Sequence, residues 1–67
     1  MNPSSVHPLA LAALRAESAE EQKRAEIDAR GEGWGAAERA ELRPFEAIRI
    51  AHRKAWAAAG FPFGAVT

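Results

Sequence analysis

After Pro8, no glycine or proline occurs until Gly31, and the places between are filled almost entirely by Ala, Leu, Glu, Lys, Gln and Arg. These side chains lose little freedom in a helix, and nothing among them interrupts the hydrogen-bond ladder. The pattern predicts a helix over 8–30, roughly 35 Å long. Pro8 fits the first helical turn, where its missing N–H costs nothing, and Ser4 or Ser5 is a candidate cap. Glu20 with Arg24, and Glu26 with Arg30, stand in the favourable i,i+4 order, and Gly31 supplies the stop. A helix of this length in so short a chain commits the fold to an all-α class.

The three glycines Gly31, Gly33 and Gly35 alternate with Glu32 and Trp34. A phosphate-cradling loop needs a strand before it and a helix after it, and here a helix comes first. The glycines therefore read as a chain reversal, with Trp34 folding onto the helical core. Beyond it, residues 36–42 suit a short helix. Pro44 disfavours helical backbone at Arg43 and donates no hydrogen bond, so a break is expected there, with Pro44 opening a third helix over 44–59 that Gly60 ends. Phe45, Ile48, His52, Ala55, Trp56 and Ala59 recur at spacings of three and four, the clearest amphipathic stripe in the sequence. Ile50 lies off that stripe and is a candidate second contact. The expected architecture is a helical hairpin or small three-helix unit forming one domain over 1–67. An extended lead-in (1–7) precedes it and an extended apolar tail (60–67) follows, whose Phe61 and Phe63 either fold back over Trp34 and Trp56 to close the core or anchor in another chain.

The first helix is less decisive about its buried side. Leu11, Leu14, Ser18, Ala25 and Ala29 fall on one stripe; Leu9, Ala13, Ala16 and Ile27 fall nearly opposite. From Glu17 to Arg30 the helix reads as mostly solvated charge.

Composition limits what such a helical unit can do alone. Seventeen residues are Ala and only 15 of the apolar ones are larger. A chain of 67 residues hides only about 60% of its unfolded surface even when well folded, and with no cysteine it has no disulfide to help. Burial is then expected from a partner: another protein, or further copies of the same chain. The absence of cysteine also excludes thiolate metal sites and cysteine nucleophiles. No His-Glu-x-x-His or similar spacing occurs, and His52 reads as a satisfied imidazole on an apolar stripe, so no catalytic, cofactor-binding or metal-ligating residue is assigned.

The formal charge is zero, from nine basic and nine acidic residues. Arg49, Arg53 and Lys54 could set a basic helix against phosphates, and a short helix, break and longer helix would superficially suit a helix-turn-helix DNA-binding regulator. Overall neutrality leaves little counterion release to drive it, so nucleic acid is the second reading and not the first. No apolar run approaches a membrane span, and no signal-peptide pattern is present. The expectation is a non-enzymatic interaction module, cytoplasmic or within a phage particle or host cell. It would be an accessory, assembly or inhibitory subunit of a larger complex. The preference for Arg over Lys and the abundance of Ala suggest a bacterial or phage origin. The residues expected to meet a partner are Trp34, Phe45, Ile48, Ile50, Trp56, Phe61 and Phe63.

Overall fold

A computed structural model describes residues 6–63, and these form an all-α helical hairpin: α1, Pro8–Ala29, and α2, Ala36–Ala58. No strand occurs among the described residues. The expected caps Ser4 and Ser5, and the tail beyond Phe63, lie outside them. The cap of α1 is instead His7, whose Nδ1 accepts from the Leu9 N–H at 3.2 Å. His7 thus belongs to the first turn and not to a free lead-in.

α1 ends as the sequence implies. Gly31 takes φ +71°, a left-handed conformation that costs other residues about 1 kcal/mol or more, and its N–H bonds the Asp28 carbonyl at 3.1 Å. Gly33 follows at φ +83°, and the chain reverses. Gly35 then caps α2, and its N–H donates to the Glu38 carboxylate at 2.7 Å, one half of a capping box. A Cβ on Gly35 would stand 2.9 Å from that same carboxylate oxygen, the far end of a flexible side chain that would have to swing aside to admit it.

The expected break at Pro44 does not occur. α2 runs through it as one helix of 23 residues, so the three-helix alternative and its boundaries at 42 and 44 are superseded by the hairpin. Proline removes the bond that would have reached the Ala40 carbonyl, and Ala40 and Pro44 both lie on the exposed side of α2. Ties to α1 on either side of Pro44 hold the two parts in line. Before it, Leu42 is buried and Glu41 bonds Arg30; after it come the ion pairs Arg49–Glu20 and Arg53–Glu17.

α2 ends in a complete Schellman motif. Gly60 has φ +87°; its N–H reaches the Ala57 carbonyl at 2.9 Å, and the Phe61 N–H reaches that of Trp56 at 3.0 Å. The hydrophobic contact that accompanies this motif is also present, with the Phe61 ring edge-on to Trp56 at 5.3 Å.

The buried apolar residues are Ala10, Ala13, Ala16, Ile27 and Leu42, joined by Glu20. On α1 this is the stripe of Ala13, Ala16 and Ile27, while the alternative stripe of Leu14, Ala25 and Ala29 is exposed. Small residues win because they let α2 approach closely; its bulkier Leu42, Phe45 and Trp56 supply the volume. The result is a slab one helix thick.

Candidate protein-interaction surface

The open end of the hairpin is closed by Trp56. Its indole N–H donates to the Pro62 carbonyl at 2.7 Å, Phe61 packs against it on one side, and Phe63 stands tilted at 6.4 Å. The Phe63 carbonyl in turn accepts from the His7 N–H at 3.4 Å. Residues 61–63 therefore fold back onto their own chain, as the core alternative for the tail expects at Trp56 though not at Trp34. Even so, Phe61 and Phe63 remain 52% and 54% exposed. Trp34, at the other end, plays no part in this cluster. It is half-buried, and its Nε1–H donates to the Asp28 carboxylate at 2.6 Å.

Ion pairs tie the helices along their length. Glu20 and Arg49 meet in the groove, with Nε 2.8 Å from Oε1. The N–H is not aimed at that oxygen, so the contact is an ion pair without a directed hydrogen bond, and Glu20 Oε2 has no hydrogen-bond partner among the described residues. Glu17–Arg53 at 2.7 Å lies to one side of the groove. Lys23–Glu41 at 3.3 Å and Arg30–Glu41 at 2.7 Å lie to the other, because Lys23 is a third of a turn from Glu17 around α1 and Glu41 the same from Arg53 around α2. The Arg30 bond holds the Glu41 carboxyl down to about 2, and Glu41 raises Arg30 above its already high ordinary value. Glu26 is lowered as well, first by its bond from Lys23 and then by Arg30.

These pairs define two broad faces of the slab. On the face of Glu17–Arg53, spacings of three and four bring in Leu14 and Glu21 from α1 and Ile50 and Ala57 from α2. Asp28 continues the α1 side, and Arg39, Arg43 and Lys54 flank the α2 side. On the face of Lys23–Glu41, spacings of four and seven bring in Ala19 from α1 and Ile48, His52 and Ala55 from α2. Leu14, Ile48 and Ile50 are 40%, 51% and 44% exposed. The amphipathic stripe of α2 is therefore split. Phe45 and Trp56 lean into the groove, half-buried, and Phe45 lies under the Lys23 ammonium at 5.9 Å. Ile48, His52, Ala55 and Ala59 face solvent.

Of the three basic residues singled out for nucleic acid, Arg49 and Arg53 are committed to Glu20 and Glu17, and Arg53 also lies over the Trp56 ring at 5.7 Å. Lys54 is exposed and makes no ion pair among the described residues. The break-and-helix geometry that invited a helix-turn-helix comparison is absent, since α2 is continuous. Among the described residues there is no enclosed cavity and no group of three His, Asp or Glu side chains placed to hold a metal ion. No described helix is long and apolar enough to cross a membrane. No protein-family model, curated protein or solved structure matches the chain.

Sequence reasoning passed over Leu14, Arg39 and Arg43 as surface residues. The signal for Leu14 was its place on the α1 stripe that lost the competition for the groove. Arg39 and Arg43 precede Pro44 and read as part of a separate short helix.

Proposed function

We propose that the chain is a non-enzymatic protein-interaction module, a small accessory, assembly or inhibitory subunit of a bacterial or phage complex, working in the cytoplasm, a phage particle or a host cell. The observation that carries this reading is the imbalance between what the hairpin buries and what it exposes. Ile27 is the only large side chain fully buried among the described residues, whereas Leu14, Ile48, Ile50, Phe61 and Phe63 are each at least 40% exposed. Among the described residues the two helices have no third element to cover their broad faces, and a partner completes the burial. Trp34, Phe45 and Trp56 then serve as the rigid framework behind the contacts made by Ile48, Ile50, Phe61 and Phe63. Cross-linking in the cells that produce the chain, followed by recovery of the tagged protein, tests the reading. Cross-links that map to α2 or residues 61–63 support it. A folded monomer that cross-links to nothing, itself included, refutes it.

A further inference from the structure

Among the described residues, the face that carries Glu17–Arg53 has most of its remaining charges sorted by helix. The α1 side presents Glu21 and, bonded only to Trp34, Asp28, with Arg24 beside them 4.0 Å from Glu20; the α2 side presents Arg39, Arg43 and Lys54, with Glu46 the one carboxylate among them. Leu14 and Ile50 are the large apolar side chains exposed between them. We propose that this face docks on the same face of a second copy, making an antiparallel four-helix bundle. The proposal rests on the interaction-module reading and names its partner.

Charge selects both the partner and the symmetry. The pairs Glu17–Arg53, Glu20–Arg49 and Arg30–Glu41 fix the register of the hairpin, setting Leu14 level with Ala57, Arg24 with Glu46, and Asp28 with Arg43. A two-fold axis parallel to the helices lays α1 of one copy over α2 of the other, antiparallel and at the same heights. Asp28 then faces the second copy's Arg43 and Glu17 its Lys54, each twice, while Arg24 faces its Glu46 with the signs reversed; Leu14 lies against Ala57, and Ile50 stands level with Glu21. An axis across the helices would stack α1 on α1 and bring Arg39, Arg43 and Lys54 against their own kind, which like-charge repulsion disfavours. The opposite face has its charges already paired within the chain through Lys23, Glu26, Arg30 and Glu41, and offers no such selection. Two helices about 33 Å long and 10 Å wide offer roughly 700 Å² per copy, near the lower bound for a stable specific interface.

Sedimentation equilibrium of the full chain tests the proposal directly. The expected result is a mass of two chains in the micromolar range, with association weakening as salt rises. Ile50→Glu and Arg43→Glu should each weaken association roughly tenfold or more while helicity is retained, and Ile48→Glu should not. Because the chain has no cysteine, a Leu14→Cys chain mixed with a separately tagged Ala57→Cys chain should form a disulfide between the two tags on mild oxidation. This readout remains decisive if Ile50→Glu fails to fold. A monomer throughout the range, a dimer broken by Ile48→Glu and not by Ile50→Glu, or the absence of the mixed disulfide would each overturn the proposal. A folded monomer that still cross-links to a foreign protein overturns self-docking and leaves the interaction module standing; one that cross-links to nothing overturns both.

Discussion

Pro44 is the ninth residue of a helix of 23 and contributes no N–H to it. An interior proline costs about 3 kcal/mol relative to alanine, and Pro44 lies on the exposed side of α2 with Ala40, where solvent limits the cost of the lost bond. Pro44→Ala should therefore stabilise the hairpin by about 1–3 kcal/mol, seen as a raised thermal midpoint; an unchanged midpoint would mean that the proline is already fully accommodated. Trp56 and Ile48 form an informative pair at this scale. Trp56→Ala removes a half-buried ring, its bond to the Pro62 carbonyl and the edge contact with Phe61, at about 2–3 kcal/mol. Ile48→Ala, more than half exposed, should change the stability of the isolated hairpin by less than about 0.5 kcal/mol. Chemical denaturation of both variants checks the contrast. Phe61 carries its own strain, with φ +53° on a bulky side chain, and the Trp56 contact is what holds it there.

At the scale of elements, the helices are registered by charge as much as by apolar contact. Glu41 and Glu26 are both held below the ordinary carboxylate value of 4.5, Glu41 down to about 2. A depressed carboxylate contributes stability that is fully present above its unfolded value and lost as pH falls through its folded one. Helix-pair stability should thus decline from about pH 4.5 towards pH 2, with Glu41→Gln flattening the slope; circular dichroism melts across that window provide the measurement. The groove pair behaves differently. Arg49→Ala leaves the largely buried Glu20 with only the more exposed Arg24, 4.0 Å away, as counter-charge and should cost about 1–3 kcal/mol, whereas Glu20→Leu with Arg49→Met together should be near neutral or stabilising. A double variant as unstable as the single one would show that the pair contributes net attraction. Much of the element plan is visible in the sequence, because Pro8, Gly31 and Gly60 act locally and the structure places them at the helix ends. Continuity through Pro44 is not visible, since it depends on ties to α1 from both sides. The buried stripe of α1 was equally hard to choose: its Ala13 and Ala16 look poorer than Leu11 and Leu14, and they win through close approach to α2.

For the whole molecule, the hairpin sets the order in which contacts are affordable. Ile27 and Leu42 lie near the glycine reversal, separated by a short loop, while His7 and Phe63 bring together positions far apart in the chain. Closing a short loop costs less entropy than closing a long one, so the reversal is the natural place for folding to begin. The helices then join progressively towards the end where Trp56 sits. Kinetically, Ile27→Ala and Leu42→Ala should slow folding, whereas Trp56→Ala should act mostly by speeding unfolding. Stopped-flow measurements on the three variants would separate the cases, and equal effects on both rates at every site would contradict a directional order. The glycine turn thus does more than reverse the chain: it makes the hairpin a zipper with a fixed starting end, one that frays first at Trp56 while its base stays shut.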